Sequence, residues 1–295
     1  MSNQVIIQKK RGLAIFLTIF AGCVLGIMDA FSKQLIGSFE VIQVLWSRYF
    51  FHSVIVFGYL IIFCSRSVFI TKKPKIQIQR SLALFVATIA MYVSLDYLPL
   101  ADAASVQFTA PVLVTLISGI FLGEKIGKRR YIAVIVAFCG VLIIVQPGIE
   151  FRWAMLLPLI AAFMLAIFLI QTRALQSFDN AYTTLFYSTL IGAIVFIIVI
   201  PFFWRQPTSE EWFFMVAQGS LGAIGHLAII KALRYSTASF LAPFLYSQLL
   251  IAIILSVMYL GDPVTIMMCL GAFLVVASGI YIWYREVFLI NVGSS

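Results

Sequence analysis

The sequence predicts an all-α integral membrane protein of ten transmembrane helices, arranged as two inverted five-helix repeats. Three observations carry this. Apolar residues make up 63% of the 295 residues and charged residues only 11%, with a mean hydropathy of +1.08. A soluble domain carries about 25% charged residues. The apolar residues fall into ten runs near the length that crosses a bilayer, about 20 residues each. Finally, short fragments recur at a nearly constant offset, half a chain apart.

The ten runs lie at roughly 13–36, 41–63, 81–98, 102–122, 131–146, 153–174, 181–203, 211–233, 238–260 and 264–284. Lipid satisfies no backbone hydrogen bond, so such runs are helical. Little chain is left between them, which leaves no room for a soluble catalytic domain. The first run follows Lys9, Lys10 and Arg11 and so resembles a secretory signal. It is longer than a signal core and has no clear small-residue cleavage site before Asp29, so it reads as a retained first helix.

A net charge of +9 raises nucleic acid as a partner, but the distribution argues for topology instead. With a cytoplasmic N-terminus, sixteen of the twenty basic residues fall in cytoplasmic segments, among them Lys9, Lys72, Lys73, Arg80, Lys125, Arg173 and Arg285. Glu40, Asp102, Glu150, Glu210, Glu211 and Asp262 fall in outer loops. This positive-inside pattern predicts both termini in the cytoplasm, an inner (plasma) membrane and no nucleic-acid partner. Trp46, Trp153, Trp204 and Trp212 near the outer ends, with Trp283 near the inner end, read as an interfacial belt. Cys23, Cys64, Cys139 and Cys269 stand singly, so neither a metal site nor a disulfide is expected. There is no GxxxxGK[ST] loop and no HExxH, and no cofactor is expected. Two distant histidines and one deep Asp do not make an enzyme's acid–base cluster.

The internal repeat divides the chain at 1–148 and 149–290. Gly123 of FLGEKIGKRR (121–130) pairs with Gly261 of YLGDPVTIMM (259–268), an offset of 138. CGVLI (139–143) pairs with SGIYI (278–282) at 139. SKQL (32–35) pairs with TRAL (172–175), and WSRY (46–49) with FYST (186–189), both at 140. Five helices per half is odd, so the second half enters from the opposite side. The loops agree, since GEKIGKRR is basic and its counterpart GDPVT is not. Inverted repeats place a substrate site near the midplane, between the halves. Gly22 and Gly26 in the first helix, and Gly219, Gly222 and Ala223 in the eighth, make small-residue faces for close packing. Helices five and ten, which end the repeats, are expected to pack on each other.

Functional candidates begin with Asp29 and Lys33, four apart and so on one helix face. Charges inside a membrane are costly. Asp29 and Arg48 fall at similar depth on adjacent antiparallel helices, which predicts an Asp29–Arg48 ion pair. The pair either lines a substrate cavity, with Arg48 taking an anionic group, or locks the two helices together. Lys33 would then snorkel to the interface or share Asp29. His52, one turn below Arg48, is with Asp29 a proton-coupling candidate; its other reading is a hydrogen-bonded structural histidine. Pro111 and Pro243 free the carbonyls of Gln107 and Ser239 in the fourth and ninth helices, and broken helices recur at transporter sites. Gln107 and Gln248 offer amides there. Tyr92, Phe108 and Tyr246 offer aromatic faces near mid-membrane, although most of the 27 Phe and 12 Tyr face lipid or pack.

Three residue sets resemble the drug/metabolite transporter superfamily, specifically its EamA-type family. They are DAFSKQL (29–35) with WSRYFFH (46–52), LPLADAASVQFTAPVLVTLISGIFLGEKIGKRR (98–130), and RYSTASFLAPFLYSQLL (234–250) followed by LGD. The resemblance covers nearly the whole chain. The pairing of DA…K with WxRYxxH looks most like members linked to uptake of flavin or adenosyl-type metabolites. The resemblance implies a secondary active transporter of a small organic solute in the lipid bilayer, a monomer or homodimer. It would work by alternating access, driven by a proton or solute gradient or by exchange. An exporter of amino acids or drug-like metabolites, or a lipid head-group translocator, is the alternative. It further implies a central cavity lined by helices one, three, four, six, eight and nine. That cavity makes Tyr92, Gln107, Phe108, Tyr246 and Gln248 plausible binding residues, beside Asp29, Arg48 and His52, which are candidates from their depth and charge.

Overall fold

The structure is a computed structural model that describes residues 3–121, 128–145, 152–263 and 265–292. All regular elements among these residues are helical. They are α1 (Asn3–Ile36), α2 (Val41–Phe63), α3 (Pro74–Tyr97), α4 (Leu100–Gln107), α5 (Ala110–Phe121), α6 (Lys128–Val145), α7 (Leu156–Leu175), α8 (Ala181–Val199), α9 (Ser209–Tyr235), α10 (Ala238–Leu241), α11 (Tyr246–Met258) and α12 (Ile266–Val292). We call the face where α1 begins the near face and the other the far face.

Among the described residues six helices are long and apolar enough to cross a membrane: Lys10–Ile36, Val41–Phe63, Pro74–Tyr97, Trp153–Leu175, Ala181–Phe202 and Ser209–Tyr235. Shorter apolar helices, Leu100–Val114, Ile135–Ile144, Tyr246–Met258 and Ile266–Tyr281, occupy the fourth, fifth, ninth and tenth runs. The fourth and ninth runs are broken, each beside its proline. The fourth changes from α4 to α5 at Phe108 and Thr109, placing Pro111 in the first turn of α5. The ninth passes from α10 through a 3-10 turn, Ala242–Leu245, into α11. Local chemistry sets the other ends. Pro74 opens α3, where its missing N–H is no loss. Thr208 and Glu211 form a reciprocal capping box on α9, and Asn180 caps α8.

The two halves interleave. α1 packs mainly on α9, α3 on α7 and α6 on α12, so each principal contact crosses from one half to the other. Small residues allow it. A Cβ on Gly140 would stand 2.7 Å from the Gly271 carbonyl, so α6 and α12 meet backbone to backbone. A Cβ on Gly26 would stand 3.0 Å from the Gln248 carbonyl of α11. One on Gly219 would stand 2.9 Å from the His52 amide of α2. Without a hydrophobic drive between helices in lipid, this closeness is what supplies dispersion contacts.

Two buried polar clamps repeat across the halves. On the far side, the Gln218 amide of α9 accepts from Ser32 (2.8 Å) and donates to Ser47 (2.5 Å) and the Val44 carbonyl (3.2 Å). On the near side, Arg80 of α3 donates to Thr172 (2.6 Å), Ser188 (2.6 Å), the Thr184 carbonyl (3.0 Å) and Gln77 (3.1 Å). Ser32 and Thr172 are repeat counterparts, as are Val44 and Thr184. A second pair of contacts obeys the same relation. Lys33 Nζ donates to the Leu95 and Leu98 carbonyls, at 2.5 and 3.0 Å, at the end of α3. Its counterpart Arg173 donates to the Leu233 carbonyl, at 2.5 Å, near the end of α9. Each cation sits where a helix leaves carbonyls unpaired.

These contacts correct two expectations. Lys33 does not share Asp29; it caps α3. Arg80 is not in a loop; α3 begins at Pro74, seven residues before the apolar run does, and Arg80 is 0% exposed inside the bundle. Asp262 of the LGD sequence accepts from the Leu100 amide at 3.2 Å and from Ser256, whose hydroxyl in turn meets the Ala101 amide. It thereby caps α4. Its repeat counterpart Glu124, with the rest of the LGEKIG stretch, lies outside the described residues. Trp46, Trp204 and Trp212 form one cluster at the far face, with ring separations of 5.2 and 6.0 Å, and Trp46 is buried in it. The side chain of Trp283 lies outside the described ones.

Candidate functional site

A cavity of about 60 Å³ lies midway through the bundle. Asp29 of α1, Arg48 of α2, Tyr92 of α3, Gln107 at the end of α4, His226 of α9 and Gln248 of α11 supply its polar wall. Leu25, Met28, Leu84, Met91 and Leu165 supply the apolar one. Five of the eight sequence candidates therefore converge, and from five separate helices.

Each charge is held by neutral partners. Asp29 Oδ2 accepts from Gln248 Nε2 at 2.7 Å. That reach depends on Gly22 and Gly26, which let α11 lie against α1. Arg48 Nη2 lies 3.3 Å from His226 Nε2. The guanidinium also sits 5.1 Å from the Tyr92 ring centre and 5.9 Å from that of Tyr49, within cation–π range. Tyr92 is itself fixed, its hydroxyl 2.6 Å from Ser32, which belongs to the far clamp.

The expected Asp29–Arg48 ion pair is not formed. No nitrogen of Arg48 comes within 4.0 Å of the carboxylate, although both residues are nearly buried, at 5% and 8% exposure, and line one cavity. The reason is geometric. Similar depth on adjacent helices does not fix the direction of a side chain. Asp29 faces α11, which the glycines bring close, and Arg48 faces α3 and α9.

The sequence favours a packing role for His226, nearer the cytoplasm than His52, yet it lines the cavity and its Nδ1 has no partner. Beside its being an ionisable residue within an apolar run, Gly222 four residues before it marks the face of α9 turned toward α2. His52 stands behind His226, ring centres 5.8 Å apart, with neither ring nitrogen hydrogen-bonded. Phe108 and Tyr246 pack on each other at 6.1 Å beside the two helix breaks. The Tyr246 hydroxyl donates to the Val275 carbonyl of α12 at 3.2 Å, and its ring lies against Gly279. Both thus sit in helix packing, away from the cavity wall.

Polar contacts draw the helices together at both faces. Arg205 and Gln43 join at the far face, where Arg152 also pairs with Asp102 at 2.9 Å. At the near face Asp179 accepts from Thr71, the Lys72 amide and Gln77. A metabolite pocket typically holds about 300–1,000 Å³. A volume of 60 Å³ has room for no more than a few waters. The cavity must widen before it holds an organic solute.

Interleaved inverted repeats around a small, doubly charged midplane cavity are the architecture of a membrane transporter. The chain belongs to the EamA-like transporter family, whose model matches residues 12–146 and again 152–284. It is 26% identical to an S-adenosylmethionine uptake transporter of Rickettsia bellii over 88% of this chain and 89% of that one. It is 30% identical to a riboflavin transporter of Vibrio cholerae over 64% of each chain. It is 26% identical to the pseudopaline exporter CntI of Pseudomonas aeruginosa over 52% of this chain and 55% of that one. A crystallised chain superposes with a TM-score of 0.66 over 96% of this chain and 97% of its own, at 16% identity, which shows the fold alone.

Proposed function

We propose that this protein is a secondary carrier for a small metabolite bearing both a cationic and an anionic group. One observation carries the reading: Asp29 and Arg48 share a cavity without pairing. An acid and a base that neutralised each other would leave a ligand nothing to bind. Held apart by Gln248 and His226, Asp29 meets an ammonium or sulfonium, and Arg48 meets a carboxylate. Arginine's planar fork suits a carboxylate bidentately. The Tyr92 ring offers a surface for a flat moiety.

The relatives support a metabolite of this size. S-adenosylmethionine, named for the relatives that align along most of the chain, carries an ammonium, a sulfonium, a carboxylate and an adenine ring. Riboflavin is flat but carries no charges to meet Asp29 and Arg48, so the cavity favours the adenosyl compound. Residues 1–148 and 149–290 act as the two repeats, ten spans cross the membrane, and both termini face the cytoplasm. Access alternates by opening the far and near contacts in turn, and Asp29 takes the coupling proton when its cationic ligand leaves. Uptake of labelled S-adenosylmethionine and riboflavin into proteoliposomes is the test. Saturable uptake of the first, lost in Arg48→Gln, is expected; uptake of riboflavin alone would overturn the reading.

A further inference from the structure

Among the described residues Arg80 is the most deeply buried charge. It is 0% exposed, and none of its partners is a carboxylate: Gln77, Thr172, Thr184 and Ser188 are all neutral. Asp179 is one side chain removed, accepting from Gln77 at 2.9 Å. A clamp at this place does not require a charge. Gln218 holds the counterpart positions on the far side with a neutral amide. A buried guanidinium carries a desolvation penalty that an amide avoids, so the charge calls for a separate explanation.

Its position supplies one. Arg80 stacks on the Phe168 ring at 4.6 Å. Phe168 meets His226 edge-on at 5.9 Å, and His226 lies 3.3 Å from Arg48. The two guanidinium groups therefore stand at either end of a short column, with Phe168 and His226 between them. Along α3, Arg80 lies roughly 18 Å nearer the near face than Tyr92. Four of the five N–H donors of Arg80 meet protein acceptors; the second hydrogen on Nη2 meets none among the described residues.

We propose that Arg80 is a second anion subsite, which receives the carboxylate of the solute from Arg48 when Phe168 swings aside toward the near face. Phe168 is the barrier between the two subsites. The neutral clamp partners keep the guanidinium in place whether or not the anion is present. The inference rests on the zwitterion reading above, and its test separates the two.

The test uses Arg80→Gln, which keeps an amide in the clamp as at Gln218, and Arg80→Lys, which keeps the charge. Labelled S-adenosylmethionine and its decarboxylated analogue are the probes. Arg80→Gln is expected to bind S-adenosylmethionine within twofold of wild type in thermal-shift titration, yet to take it up at least tenfold more slowly. The decarboxylated analogue should move at the wild-type rate, and Arg80→Lys should recover a third or more of the lost uptake. Wild-type uptake of both probes by Arg80→Gln, or equal loss of both with no rescue by lysine, would overturn the subsite. If wild type binds neither probe, the zwitterion reading fails instead. Sulfate then reads the subsite directly. It should raise the melting temperature of Arg48→Gln but not of Arg48→Gln/Arg80→Gln; no shift in the single variant overturns the proposal.

Discussion

Arg80 and Gln218 do the same structural work in opposite halves of the membrane, one with a cation and the other with an amide. Each reaches from the third helix of its own repeat to the first two helices of the other. Truncating Gln218 to Ala removes three buried hydrogen bonds at once, leaving Ser32 only the Met28 carbonyl and Tyr92, and Ser47 only the Val44 carbonyl. A single intramolecular hydrogen bond contributes a net of about 0.5–1.5 kcal/mol. Gln218→Ala should therefore lose at least that much stability, read as a lower melting temperature in neutral detergent, whereas Gln218→Glu at acid pH should recover part of it.

Because Asp29 and Arg48 are not in contact, their replacements should act almost independently on stability. A double-mutant cycle with Asp29→Asn and Arg48→Gln should give a coupling below about 1 kcal/mol, against the ~3–5 kcal/mol released when one partner of a buried ion pair is removed. Transport should not return in the double variant. Recovery of uptake there would mean that the two charges pair in another state and serve as a lock.

On the proposed reading Asp29 takes the coupling proton, with His52 as the second candidate. Asp29→Asn keeps an acceptor for the Gln248 amide, so the fold should survive. Its uptake should no longer respond to an imposed pH gradient, while His52→Gln, behind the cavity wall, should keep at least half the response. The reverse order would move the proton site to the histidine pair.

The α6–α12 contact should behave as fixed scaffold. Gly140→Leu forces a side chain against the Gly271 carbonyl, and overpacking of this kind costs about 1–3 kcal/mol or more. Stability should drop while the KM of the protein that remains folded stays unchanged. A changed KM would place this pair of helices among the moving parts.

Asp262→Ala removes the acceptor at the start of α4. Loss of such a cap costs about 0.5–2 kcal/mol. Asp262→Asn should retain most of the stability, since an amide oxygen still meets the Leu100 amide.

Much of the architecture was legible in the chain, because lipid imposes one solution on the backbone and apolar length reports it directly. The repeat offsets were legible too, and the contacts of Ser32 and Thr172 follow them. The polar interior was less so. Asp29, Arg48, Tyr92, Gln107 and Gln248 stand out as polar or aromatic groups deep in apolar runs, and they meet in one cavity. Which atom meets which depends on how near the glycines let each helix come, and spacing along one helix carries no record of that. Arg80 escaped because a positive residue at the edge of an apolar run looks like loop charge. The helix begins at Pro74, which is a recognised start signal, and reading it as such would have put Arg80 within the span.

Interleaving also fixes an order of assembly. α1 is made long before its main partner α9, which begins only at Ser209. At about 5–20 residues per second, roughly ten to thirty-five seconds separate the two during synthesis. Throughout that interval Asp29 and Ser32 have no Gln248 or Gln218 to meet. The newborn first helix must wait with its polar face sheltered, whether by the insertion machinery or by α2 and α3. A ribosome that stalls within the first half leaves a set of helices whose hydrogen-bonding groups are waiting for partners not yet made.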